Sequence, residues 1–118
     1  MAIVYRRAGV DDAPAASTVF AEAYNDLGRR HGFGHLQMTA NPQNPFFVSC
    51  VSEEPDGAWV AEDNGKVVGF SFSWMRGSFW FLAQLFVLPG YQGQGVGRRL
   101  LEKALEISLL HGNAPIVK

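Results

Sequence analysis

The stretch that most constrains this chain covers residues 84–101, reading Gln-Leu-Phe-Val-Leu-Pro-Gly-Tyr-Gln-Gly-Gln-Gly-Val-Gly-Arg-Arg-Leu-Leu. An apolar run ends in Pro-Gly, a glycine-rich turn follows, and a helical pattern starts at once. Gly93, Gly95 and Gly97 stand at alternate positions, so the backbone is bare and several amide N–H groups can approach one ligand. The first N–H groups of the following helix have no intrahelical partner and lie at the positive end of its dipole. A strand that feeds such a turn makes a phosphate cradle built from backbone rather than side chains.

The segments before the cradle have to supply a core for it. Residues 3–7 read as a short strand, and Asp11-Asp12-Ala13-Pro14 is a helix-start signal with early acid and a first-turn proline. The helix is expected over residues 13–27, with Val19, Phe20, Ala23, Tyr24 and Leu27 as its buried face. Periodicity then breaks. Residues 28–44 read as an irregular segment over a pocket mouth, with His31 and His35 among glycines and an aromatic. Helical geometry would let the two histidines share a metal, but Gly32 and Gly34 oppose a helix there, so no metal is expected. Residues 46–51 fit a helix end or an extended piece equally well.

Residues 58–61 read as a strand, and Asn64-Gly65 is a hairpin turn that favours positive φ. The chain returns over residues 66–74, where Phe70, Phe72 and Trp74 share one face. A turn at Arg76-Gly77-Ser78 leads into residues 79–87. After the cradle a helix is expected over residues 95–110, its face drawn by Leu100, Leu101, Ala104, Leu105 and Leu109. His111-Gly112 reads as its C-terminal signal, and Pro115-Ile116-Val117 as the start of one more strand. Trp59, Trp74 and Trp80 are expected as apolar anchors.

Composition limits the alternatives. With 118 residues, 47% hydrophobic and 18% charged, the chain suits one globular domain over residues 1–118. A net charge of −1 gives no footprint for nucleic-acid or membrane partners. Cys50 is the single cysteine, read as a buried small hydrophobe, and a reducing cytoplasmic compartment is expected. Met1-Ala2-Ile3-Val4-Tyr5 runs directly into Arg6-Arg7, without the apolar stretch of a secretory signal.

Three glycine-rich cradles compete. A Walker loop needs Lys followed by Ser or Thr, and Gly97 is followed here by Arg98-Arg99. A dinucleotide fingerprint starting at Gly93 would need a third glycine where Arg98 stands, and it opens a βαβ unit rather than ending a meander. Gln92-Gly93-Gln94-Gly95-Val96-Gly97 instead resembles the acetyl-coenzyme A motif of the GNAT superfamily of N-acetyltransferases, whose core is Q/R-x-x-G-x-G/A. Leu85-Phe86-Val87-Leu88-Pro89 resembles the family's preceding strand, and the order of elements agrees over nearly the whole chain.

The resemblance implies an α+β fold of α/β/α layers, a mostly antiparallel mixed sheet flanked by helices, incomplete at the C-terminus without the final helix and hairpin. It implies acetyl-coenzyme A as co-substrate and direct attack by a primary amine of a small molecule or peptide. The amides of Gly93, Gln94, Gly95, Val96, Gly97 and Arg98 would take the pyrophosphate, with Gln92 beside them as a cofactor-binding residue. The backbone of Leu85, Phe86 and Val87, on a bulged strand, would pair with the pantetheine arm and polarise the thioester carbonyl. The family's base is often a carboxylate on this strand, where Gln84 stands here. The catalytic candidates are therefore Gln84, His31 and His35, and Tyr91 is expected to pack beside the cradle. Glu102 lies three residues after Arg99 and four after Arg98, so spacing leaves open which arginine it pairs with. The short C-terminus brings two further expectations: a homodimer covering an exposed strand edge, and, as the alternative function, a non-catalytic acyl-coenzyme A-binding module or a fragment completed by a partner chain.

Overall fold

The computed structural model describes residues 2–35, 37–77 and 79–110, without the side chains of 107–110. Four strands make one sheet in the order β1 (Ile3–Arg7), β2 (Ala58–Asp63), β3 (Lys66–Arg76) and β4 (Phe79–Val87). Every neighbouring pair is antiparallel, so over the described residues the sheet is wholly antiparallel rather than mixed. The strand read at Pro115-Ile116-Val117 and the helix stop at His111-Gly112 lie outside those residues. The β2–β3 hairpin turns where the sequence asks it to: Asn64 and Gly65 both have positive φ, 50° and 82°.

Three helices cover the sheet: α1 (Ala13–Arg30), α2 (Pro45–Glu53) and α3 (Val96–Leu110). Alternation along β3 decides which face each takes. Phe70 and Phe72 meet Phe47 of α2 edge-on at 6.0 and 5.0 Å between ring centroids. Phe70 also meets Phe86 of β4 at 5.7 Å, and Phe86 receives Phe20 of α1 at 5.0 Å. One residue away, on the opposite face, Gly69 lies under α3. A Cβ there would sit 3.1 Å from Leu100 Cδ1 and from the Phe86 carbonyl. Val96, Leu100 and Ala104 are the fully buried stripe of α3, with Leu101 and Leu105 half-buried beside it.

Residues 46–51 resolve as helix. Asn44 adopts a left-handed conformation, accepts the Phe47 N–H on its side chain, and precedes Pro45 in the first turn. Phe47, Cys50 and Val51 are the buried positions of α2, and burial pushes the Cys50 thiol up from its ordinary value. Trp80 is wholly buried, while Trp59 and Trp74 are half-buried. No helix among the described residues is long and apolar enough to cross a membrane.

Two expectations for α1 change. The helix continues one turn beyond Leu27 to Arg30, and Tyr24 and Leu27 are not in the core, being 40% and 50% exposed. Val19 and Ala23 are buried as expected and Phe20 packs on Phe86, and Ala16 joins them, a small residue that lets α1 lie close to the aromatic layer. The acidic start also works differently from a simple cap. The Asp12 carboxylate takes both arms of the Arg6 guanidinium at 2.8 Å and the Gly9 N–H at 2.8 Å. Arg6 also pairs with Glu62 of β2. The arginine therefore joins the base of α1 to the sheet, and its hydrogen bonds hold the Asp12 carboxyl below the usual carboxylate value.

Candidate active site

The register of β4 sets what its backbone can offer. Leu88 N–H donates to the Val68 carbonyl at 2.8 Å, which makes 68 and 88 a hydrogen-bonded pair. Antiparallel alternation then puts the pairs Phe70–Phe86 and Phe72–Gln84 in the same class, and turns the N–H and C=O of Leu85 and Val87 away from β3. No strand pairs with that outer edge among the described residues. Of the three residues expected to present backbone to a pantetheine arm, Leu85 leaves its N–H and C=O on that open edge and Val87 its N–H, while the Val87 carbonyl accepts Gln92 Nε2 at 3.0 Å. The Phe86 main chain faces β3, and its ring packs against α1.

Between the Phe72–Gln84 and Ser73–Leu82 pairs the register slips, leaving Ala83 unopposed. The expected bulge is therefore present, one residue before Gln84. A bulge adds local twist and bends the strand. Gln84 sits on the face shared with Phe70 and lines a cleft of about 330 Å³. Phe20, Phe46, Phe47 and Phe70 supply its walls, with Ser17, Thr39, Asn41 and Asn44 as neutral polar groups. The segment after α1 closes this cleft because it is tied back along the helix: Asn25 exchanges hydrogen bonds with Met38 at 2.7 and 3.0 Å, and the Asn41 N–H reaches Ser17 Oγ.

Beyond Val87 the chain makes a 3₁₀ turn at Pro89–Tyr91 and then the glycine turn. Gly93 and Gly95 have φ of 78° and 86°, and a Cβ on either would meet nothing within 4 Å. Their requirement is thus a backbone conformation beside open space, which is the condition for a ligand to lie on the amides. Gly97 differs. It belongs to the first turn of α3, and a Cβ there would stand 3.8 Å from Val87 Cγ2. Arg99 N–H makes the bond to the Gly95 carbonyl at 3.0 Å, so the N–H groups of Val96, Gly97 and Arg98 precede the helical ladder and lack an intrahelical carbonyl.

Side chains hold this turn in place. Gln92 Nε2 donates to the Val87 carbonyl at 3.0 Å, and Gln94 Nε2 to the Gly90 carbonyl at 3.3 Å. Tyr91 donates its hydroxyl to Asp63 at 2.7 Å, fastening the turn to the β2–β3 hairpin; that bond to the carboxylate raises the tyrosine's pKa. Tyr91 is a brace beside the cradle, as expected. The two arginines separate as well: Arg99 takes Glu102 at 3.7 Å and lies over the Tyr5 ring, whereas Arg98 is exposed with no ion-pair partner among the described residues.

The histidines are elsewhere. His31 follows α1 and lines a separate apolar cleft with Tyr24, Leu27, Gly28 and Phe33, while His35 is exposed. Neither lines the Gln84 cleft. Among the described residues no group of three or more His, Cys, Asp or Glu could hold a metal.

Comparison with known proteins agrees with this geometry. The model of the acetyltransferase (GNAT) family matches residues 17–117. An uncharacterized N-acetyltransferase from Archaeoglobus fulgidus is 34% identical over 111 residues, covering 88% of this chain and 72% of that protein. A thialysine N-epsilon-acetyltransferase from Mus musculus is 32% identical over 89 residues, covering 71% of this chain and 47% of the enzyme. The chain therefore spans about half the length of that mammalian relative. Among solved structures, the ribosomal-protein-S18-alanine N-acetyltransferase from Escherichia coli superposes with a TM-score of 0.74 at 22% identity, over 98% of this chain and 66% of that one. The PaiA N-acetyltransferase from Thermoplasma acidophilum, in complex with coenzyme A, gives 0.72 at 17% identity, over 95% and 75%. The chain belongs to the GNAT family of acetyltransferases.

Proposed function

We propose that this chain binds acetyl-coenzyme A and transfers its acetyl group to a primary amine of a small molecule or peptide by direct attack. The observation that carries the reading is the continuity of one surface. The outward N–H and C=O of Leu85 and the outward N–H of Val87 lead into the glycine turn and the open N–H groups of α3. A ligand with an amide-bearing arm and a diphosphate matches that surface from end to end: amides pair along a strand edge, and phosphate oxygens take helix N–H groups. Kinship supports it too, since related N-acetyltransferases share the fold and one of them was solved with coenzyme A.

The acceptor would enter by the Gln84 cleft, which meets the strand at the bulge. Its lining groups are aromatic and neutral polar, with Gln84 able to orient an amine through its amide oxygen. In this reading the amine arrives unprotonated. Its nitrogen attacks the thioester carbonyl, whose developing oxyanion takes an outward N–H of β4. The C–S bond then breaks, the amine proton leaves to water, and the thiolate takes a proton from solvent. The rate should therefore rise tenfold per pH unit up to the acceptor's own pKa and then level. Incubation with acetyl-coenzyme A and an amine library, reading free thiol against pH, tests this; no thiol release with any acceptor overturns catalysis.

One observation favours a second reading. The lining residues of the Gln84 cleft include no carboxylate or imidazole. If calorimetry finds coenzyme A bound without turnover, the chain is a binding module for acyl-coenzyme A. The outer edge of β4 before the bulge, residues 79–82, is the surface on which we place a homodimer contact, leaving Leu85 and Val87 to the ligand; a monomer in sedimentation at micromolar concentration argues against it. The buried free thiol of Cys50 fits a reducing compartment, so we place the protein in the cytoplasm.

A further inference from the structure

The last turn of α1 reaches the cradle from the opposite layer of the molecule. Arg30 Nη2 donates to Gln92 Oε1 at 3.3 Å, across 62 positions of sequence, and the same nitrogen pairs with Asp26 Oδ2 at 2.9 Å. Gln92 in turn donates to the Val87 carbonyl at 3.0 Å. The result is a chain of contacts, Asp26–Arg30–Gln92–Val87, from helix to cradle to strand end. Arg29, its neighbour, does nothing comparable: it approaches Asp26 at 3.7 Å and faces the Tyr91 side of the turn.

The chemistry of the guanidinium makes this contact more than a helix-surface pair. Both contacts use one nitrogen, so Nε and Nη1 have no partner among the described residues, and the side chain is 56% exposed. Three N–H donors of a rigid fork are left open at the rim of an anion cradle, with one prong anchored so that the plane is already oriented. Arginine forks favour phosphate because two N–H groups match two oxygens. Asp26 offsets part of the positive charge but does not occupy the open donors.

On the reading that the cradle binds coenzyme A, we infer that Arg30 is a side-chain clamp on the diphosphate, closing over it from α1 while the backbone amides hold it from α3. The pantetheine arm, which lies along β4, makes no use of it. Binding of the diphosphate would thus draw together two layers that otherwise meet through the core.

The test is calorimetry of coenzyme A, dephospho-coenzyme A and pantetheine with the wild-type chain, Arg30→Ala, Arg30→Gln and Arg30→Lys. Arg30→Ala and Arg30→Gln should each weaken both diphosphate ligands about tenfold and flatten the salt dependence of their binding, while Arg30→Lys recovers part of the loss. Pantetheine affinity should not move. Equal affinity of wild type and both neutral variants for coenzyme A overturns the clamp while leaving the cradle intact. A loss confined to coenzyme A would move the contact to the 3′-phosphate, and an equal loss for pantetheine would mean a general disturbance; each overturns the assignment. If wild type itself binds no coenzyme A, the underlying reading fails first.

Discussion

The cradle at residues 89–98 and the segment at residues 28–44 are built from similar material and behave as different kinds of structure. Each contains a glycine at positive φ with open space where a Cβ would point: Gly95 at 86° and Gly32 at 83°. Each also lies beside a helix end. The cradle, however, stands at the N-terminus of α3, where N–H groups are left open, and Gly32 follows the C-terminal end of α1, where the outward groups are carbonyls and those of Leu27 and Gly28 take the His31 and Phe33 N–H groups. Gln92 and Tyr91 fasten the first to the sheet, and Gln94 bonds within it to the Gly90 carbonyl. The second is tied to α1 chiefly through Asn25 and Ser17. Glycine content is therefore uninformative by itself; which end of a helix it serves decides whether an anion can bind.

Substituting the two glycines gives the sharpest test of that difference. Gly95→Val should lower coenzyme A affinity by at least about a hundredfold in calorimetry, because the side chain enters the space the diphosphate needs. Gly32→Val imposes a similar backbone strain, about 1–2 kcal/mol, and should lower the melting temperature with no change in that affinity. Equal losses of binding would break the comparison.

A smaller effect separates the two candidate roles around the acceptor. Gln84→Ala should reduce kcat/KM for the amine about tenfold while coenzyme A affinity holds, since the residue lines the cleft and not the cradle. His31→Ala and His35→Ala should each leave kcat/KM within about twofold, their side chains being outside that cleft. A histidine effect as large as that of Gln84 would return the irregular segment to the catalytic apparatus.

The smallest expected effect concerns the attachment of α1, from which that segment hangs. The Arg6 guanidinium depresses the Asp12 carboxyl below its unfolded value of 3.8. A depressed carboxylate stabilises the fold in full above that value and loses the contribution as pH falls through the folded one. Thermal melts of wild type should therefore drop more steeply below pH 3.8 than those of Asp12→Asn. The difference should be modest, because Arg6 is partly exposed and solvent screens the pair.

How much of this was legible in the sequence depends on how local the cause was. The Asn64-Gly65 turn, the β3 aromatic face and the glycine turn into α3 read correctly, because positive φ, side-chain alternation and open helix-end amides are properties of a few consecutive residues. The buried face of α1 read only in part. Tyr24 and Leu27 have the right spacing, but Phe70 and Phe86 of the sheet and Phe47 of α2 already fill the layer beneath α1, which takes Ala16, Val19 and Phe20 and leaves Tyr24 and Leu27 outward. Asn44-Pro45 was a usable signal for the start of α2: a capping side chain followed by proline marks a helix, though the same pair also marks a turn. The Arg6–Asp12–Glu62 group had no signal, since its members come from three elements.

Sequence alone determined that this chain carries a strand, a glycine turn and a helix whose first backbone donors are left open, and that the pattern is that of the GNAT acetyltransferases. Tertiary structure decided the rest of the site. It turned Leu85 and Val87 outward and Phe86 inward through the pairing of β4 with β3, and it brought Arg30 to Gln92 and Gln84 to an aromatic cleft. The reason is physical: a conformation that a glycine permits is written in its own neighbourhood, whereas register and long-range contact depend on which other surfaces the core has already taken.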